Sequence, residues 1–141
     1  MPVEIKYQML ELILRVFCGV LFLFQGYDKL FRIGLKGVKE AMYVESDRKR
    51  VPHLFVDLLV YYTSFVEVVA GLLLILGLFQ TQAEFLLGID LILVAVAFSF
   101  VEPMWDMKHV FPRLILISIL MAMPSEWSFF NLKTILDYLN K

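Results

Sequence analysis

The sequence predicts an all-α fold: a polytopic membrane four-helix bundle with an interfacial amphipathic loop helix and a C-terminal amphipathic helix. Three observations lead there. Of the 141 residues, 60% are hydrophobic, 15% aromatic and only 19% charged, whereas apolar residues make up roughly half of an ordinary soluble domain. The apolar residues fall in four long blocks, without the alternation of a half-buried strand or a surface helix. The length fits one domain. Net charge is −1, so there is no global basic field to neutralise phosphates, and nucleic acid is excluded as a partner. Cys18 is the sole cysteine and lies in the first apolar block, which excludes an internal disulfide, a dithiol pair and a thiolate metal cage.

A spanning helix needs about 20 mostly apolar residues to cross about 30 Å of hydrocarbon. Spans are expected over about 8–31, 54–79, 83–101 and 104–123. The first carries Glu11 and Arg15 where a signal peptide has its apolar centre, so it is expected to stay in the chain. The second and third are joined by Gln80-Thr81-Gln82, a connection short enough to force an antiparallel hairpin. The fourth is the shortest, with Pro112 near its first turn, where a missing N–H costs least.

Between Arg32 and His53, Leu35, Val38, Met42 and Tyr43 share a face among Lys36, Lys39, Arg48, Lys49 and Arg50, the pattern of a helix lying in the interface. After Pro124, the aromatic cluster Trp127, Phe129 and Phe130 suits headgroup depth. Asn131 can cap a closing amphipathic helix bearing Leu132, Ile135, Leu136 and Leu139. Nine Lys and Arg residues at the face of the first and third connections, against three at the terminal face, place both termini outside the cytoplasm.

An ionisable side chain at the bilayer centre costs at least about 2.5–3.5 kcal/mol and has to find a partner inside the bundle. Counting from the first-connection face, Arg15 lies 13 residues from Asp28, Glu67 lies 14 from His53 and Asp90 lies 12 from Glu102. At about 1.5 Å per residue these depths agree at about 18–21 Å. The expectation is a triad in which Arg15 forks between Glu67 and Asp90. Two roles are open to it: fixing helix register, with Arg15 satisfied by Glu11 one turn away, or holding a proton on the surplus carboxylate.

A second polar cluster is expected at the first-connection face: Asp28, Lys29, His53, Asp57, Glu102, Trp105, Asp106, His109 and Arg113, with Gln25 beside them. The histidines lack metal-binding spacing, so no metal site and no cofactor is expected. Haem on this histidine pair, or a quinone in a cleft lined by Tyr61, Tyr62 and Trp105, are the alternatives. In the Glu102–Arg113 connection, Pro103 ends the third span, Asp106 caps the fourth and Trp105 anchors the interface. The same residues could instead form a docking or headgroup site with Asp28 and Lys29.

Arg15-x₃-Gly19-x₂-Phe22-x₃-Gly26-x-Asp28-Lys29-Leu30-Phe31, followed by Glu67-x₃-Gly71-Leu-Leu-Leu-Ile-Leu-Gly77-Leu-Phe79-x-Thr81, resembles the DoxX family of small four-helix membrane proteins over about residues 12–101. Gln82 stands where relatives carry a basic residue. The resemblance implies a compact bundle in a bacterial inner membrane, with Arg15, Gly26, Lys29 and Glu67 at family-typical positions. The family is named after a subunit associated with archaeal thiosulfate:quinone oxidoreductase, and members are often accessory subunits. The leading functional expectation is therefore an accessory subunit, without catalysis of its own, that anchors or supports a larger complex of membrane or envelope proteins. The alternatives are a quinone- and proton-linked redox module and a carrier for a lipid or small molecule. Four spans make a narrow bundle, so a carrier would call for an oligomer.

Overall fold

A computed structural model of the chain describes residues 3–48, 50–101, 108, 110–132, 134 and 136. Within them the fold is helical. Helix α1 runs Val3–Tyr27 and continues through a π-helical turn, Asp28–Arg32; α2 is Gly34–Arg48, α3 is His53–Leu76, α4 is Gln80–Val101 and α5 is Val110–Ala122, followed by a 3₁₀ turn at Ser125–Trp127. Helices dominate because lipid offers backbone groups no hydrogen bonds, and a helix satisfies its own. Three of them, Val3–Arg32, His53–Leu76 and Gln80–Ala97, are long and apolar enough to cross a membrane.

Helix α5 differs from the expected fourth span. Its 13 residues reach about 20 Å, short of a full crossing. Residues 104–107 and 109, counted into that span from the sequence, lie outside the described residues. The closing amphipathic helix also lies largely outside them; Asn131 Oδ1 does accept the Thr134 N–H at 2.8 Å, as an N-cap does. The hairpin turn sits earlier than expected. Gly77 takes φ 68°, its N–H returns to Leu73 and Leu74, and Leu78 N–H bonds the Leu73 carbonyl at 3.0 Å. This left-handed stop ends α3 at Leu76, so Gln80-Thr81-Gln82 become the first turn of α4 rather than a loop.

Helix α1 packs on α3, α3 on α4, α4 on α5, and α5 back on α1, while α2 lies against α3 and α4. Small residues set the closest approach. Gly19 and Gly26 on α1 face Gly71 and Ser64 on α3, so near that a Cβ on Gly19 would stand 2.7 Å from the Gly71 carbonyl oxygen and one on Gly26 2.9 Å from that of Ser64. Backbones that touch in this way gain dispersion and weak polar contacts that bulky residues would prevent. Around this seam Cys18, Phe22, Ala70, Leu74, Leu87, Leu91, Ile117 and Leu120 form the buried core. Phe17, Phe24, Phe65, Ile92 and Ile115 point outward and are more than half exposed, a surface suited to acyl chains. Tyr7 stacks on Trp127 at 4.4 Å, fastening the 3₁₀ turn to the start of α1.

Candidate functional site: a buried carboxylate layer beneath an apolar cleft

The glycine seam brings α1 close enough for two of its polar side chains to reach across to α3. Glu67 is fully buried, and its Oε1 accepts from Gln25 Nε2 at 2.6 Å and Lys29 Nζ at 2.7 Å. Gln25 and Lys29 are four residues apart and share a helix face. Lys29 stands in the π-turn closed by Ile33 N–H on the Asp28 carbonyl at 2.8 Å; such wide turns recur at functional sites. Lys29 also donates to Thr63 Oγ1 at 3.4 Å.

Behind this pair lies Asp90 of α4, fully buried, with Glu67, Lys29 and Arg113 as the charges acting on it. Of the two carboxylates Lys29 contacts Glu67 alone, at 2.7 Å, while Lys29 and Arg113 act on Asp90 only through space, so the desolvation of the pair is only partly offset. Hydrogen bonding is incomplete. Among the described residues, both Asp90 oxygens, Glu67 Oε2, Ser64 Oγ and Gln25 Oε1 meet no partner. Buried polar atoms are normally satisfied, so such a concentration of open acceptors marks a place where something else can bind or where a proton can reside.

In front of the pair is a cleft of about 370 Å³ between α1, α2, α3 and α4. Gln25, Lys29 and Thr63 form its polar end; Val38, Met42, Leu59, Val60, Val94 and Ala97 supply apolar walls. Helix α2 roofs it and is fastened to α3 by a small network. Tyr43 Oη donates to Asp57, Lys39 pairs with Asp57 at 3.3 Å, and the Tyr43 ring stacks on His53 at 4.2 Å. His53 Nε2 lies 2.6 Å from Asp47 Oδ1. The hydrogen bond to Asp57 raises the Lys39 ammonium above its ordinary value, and the one to the same carboxylate raises the Tyr43 phenol.

Arg15 belongs to a different layer, and the expected fork does not form. Its Nε donates to Glu11 Oε1 at 2.8 Å, Nη1 to the carbonyls of Leu74 at 2.6 Å and Ile75 at 3.3 Å, and Nη2 to that of Phe130 at 2.6 Å. The reason is register. Counting both spans from flush ends placed Asp28 level with His53, but the opening turns of α3 rise beyond α1 to meet α2 at Asp57 and His53. Arg15 is therefore level with Leu74 and Ile75, and Glu67 with Gln25 and Lys29. The slip is about nine residues, or about 14 Å. Glu67 and Asp90 remain neighbours because the α3–α4 turn is tight.

The expected face cluster separates in the same way. Lys29 and Arg113 turn inward to the carboxylate layer. His53 and Asp57 serve the α2–α3 joint. Asp28 pairs with Arg32 on the surface at 3.8 Å. Glu102, Trp105, Asp106 and His109 lie outside the described residues. Among the described residues no three His, Cys, Asp or Glu side chains come together as a metal site. The sequence reading passed over Glu84, which is buried; its spacing of four from Gln80 was the available signal, since both face Glu11.

The DoxX family model matches residues 10–100, a stretch that includes every residue of the glycine seam, the Lys29–Glu67 pair and Asp90. No curated protein and no solved structure matches the chain significantly.

Proposed function

The chain belongs to the DoxX family, and from that premise we propose that it is an accessory subunit of a membrane assembly, to which it contributes a seat for a membrane-dissolved amphiphile. The observation that carries this reading is the cleft itself, whose apolar walls end at Lys29 and Gln25 while Glu67 holds both side chains from behind. Its volume of about 370 Å³ falls in the range of small-molecule sites. The tail lies between α2 and α4. The polar head, a quinone carbonyl or a lipid ester, accepts from the Lys29 ammonium, and the open acceptor Gln25 Oε1 takes a head-group hydroxyl. Held in place by Glu67, Lys29 does not have to be ordered at the moment of binding, which preserves affinity. Chemistry on such a head belongs to companion subunits, with the Glu67–Asp90 layer as a neighbouring proton store.

The experiment is gentle extraction from the native membrane followed by native mass spectrometry. A reproducible companion protein and one retained amphiphile are expected. The Ala97→Phe variant, which fills the cleft, keeps the companion and loses the amphiphile. Wild-type protein that emerges alone refutes the accessory role, and wild-type protein with an empty cleft refutes the seat.

A further inference from the structure

At the end of the bundle nearer the chain termini, away from the cleft just described, a second cavity of about 250 Å³ opens between α1, α4, α5 and the segment after α5. Two carboxylates form its floor. Glu11 is 4% and Glu84 8% exposed. Glu11 Oε1 is already engaged, accepting from Arg15 Nε at 2.8 Å and Gln80 Nε2 at 2.7 Å. Its Oε2 is buried without a partner, and Glu84 has no hydrogen bond or ion pair among the described residues. We propose that this cavity is a binding site for a primary ammonium group carried on a short alkyl chain.

The neighbouring groups decide the chemistry. Arg15 is the cation closest to hand, but four of its five N–H donors go to Glu11 and to the carbonyls of Leu74, Ile75 and Phe130, and none of these bonds reaches Glu84. Gln80 is fixed as well, with its amide N–H on Glu11 and its carbonyl accepting from Ser128 Oγ. With both carboxylates ionised, they and the one guanidinium leave one surplus negative charge, and the open positions on the carboxylates are acceptors. A ligand therefore brings positive charge and N–H donors. The N-terminal end of α4 lies here and by itself favours anions, yet two carboxylates at contact distance repel them. A hard divalent ion takes six to eight oxygen ligands or an octahedral shell, and no cluster of three acidic or histidine side chains is present among the described residues. An ammonium needs only about three acceptors, and Leu120 and Met123 supply the wall for its carbon chain.

Two sources carry this group: the ethanolamine headgroup of a lipid and a water-borne amine. Ser125 lines the cavity and begins the turn whose Trp127 stacks on Tyr7, a pairing suited to headgroup depth. Either source can reach it.

The test uses the full chain in dodecylmaltoside, titrated calorimetrically with n-butylammonium chloride and, in parallel, with n-butanol. Saturable binding of the amine alone is expected, weakened at least about tenfold in Glu84→Gln, a difference of about 1.4 kcal/mol. Removing a carboxylate that has no hydrogen-bond or ion-pair partner among the described residues leaves the thermal midpoint unchanged. Should Glu84→Gln nevertheless misfold, Met121→Trp, which narrows the cavity from its exposed rim, shows the same loss. Wild-type protein that binds butanol as well as the amine, or shows no saturable binding, overturns the proposal, as does wild-type affinity in a folded variant. Phosphatidylglycerol nanodiscs with and without phosphatidylethanolamine separate the sources. Amine binding abolished by phosphatidylethanolamine identifies the lipid headgroup, and binding that persists identifies a soluble amine. This site is independent of the cleft, so failure of either reading leaves the other standing.

Discussion

Gly71→Ala tests whether the α1–α3 seam governs both stability and the Glu67 site. A Cβ at Gly71 would lie 2.7 Å from the Leu23 nitrogen, 2.9 Å from the Gly19 oxygen and 3.2 Å from the Leu23 Cα. All three are backbone atoms, so no side chain can swing away and the helices have to separate locally by about half an ångström or more. A gap of that size forfeits about a quarter to a half of each dispersion contact, and overpacking of this kind costs about 1–3 kcal/mol. Replacing a helical glycine returns up to about 1 kcal/mol. The net loss is about 1–2 kcal/mol, which for a chain of this length lowers the melting midpoint by about 2–8 °C. Glu67 stands one turn from Gly71, so its 2.6 and 2.7 Å bonds to Gln25 and Lys29 stretch at the same time. The assay is thermal unfolding in detergent followed by circular dichroism, with Gly88→Ala as control: its nearest contact would be Ile117 at a comfortable 4.0 Å, so it melts at or above wild type. Equal midpoints for Gly71→Ala and wild type, or equal losses for both alanines, would refute the seam as the controlling contact.

Arg15→Leu strands the Glu11 carboxylate and three carbonyl acceptors, and is expected to cost about 3–5 kcal/mol; limited proteolysis after residue 127 accelerates, and an unchanged digestion pattern contradicts this. Glu67→Gln and Asp90→Asn diverge: the first leaves Lys29 without its counter-charge and costs about 3–5 kcal/mol, whereas the second removes a carboxyl with no hydrogen-bond partner among the described residues and stays within about 1 kcal/mol of wild type or above it. Denaturant midpoints decide, and a reversed order refutes the assigned partners. Alkaline pH loosens α2. Lys39 and Tyr43 both bind their protons more tightly when folded, so their contribution is full below pH about 10 and disappears as pH rises through the folded values. Hydrogen exchange in α2 accelerates there and not in α1, and uniform behaviour across the two helices refutes the Asp57 anchorage.

Composition made the helices legible, because only self-satisfied backbones suit a chain this apolar. Gly77 was legible as a residue but not as a stop: its left-handed φ is a backbone choice that an apolar run conceals. The partners of Arg15 and Glu67 were not legible. Depth counting needs to know where each helix enters its layer, and the extra turns of α3 that meet α2 moved that origin. Glu67 and Asp90 could be placed together because the connection between their helices is too short for slippage. The cleft was hidden for a similar reason, since Val38, Met42, Val60 and Ala97 become a wall only when three separate helices close around them. Glu84 drew no reading from the sequence, because only the return of the segment after α5 encloses it.

The contact between Arg15 and the Phe130 carbonyl also bears on biogenesis. The guanidinium enters the bilayer early in translation, whereas the oxygen that completes its shell is 115 residues away and emerges late. Until then the first span carries an incompletely solvated cation, a feature by which a membrane chaperone or protease can distinguish a nascent or truncated polypeptide from a finished one.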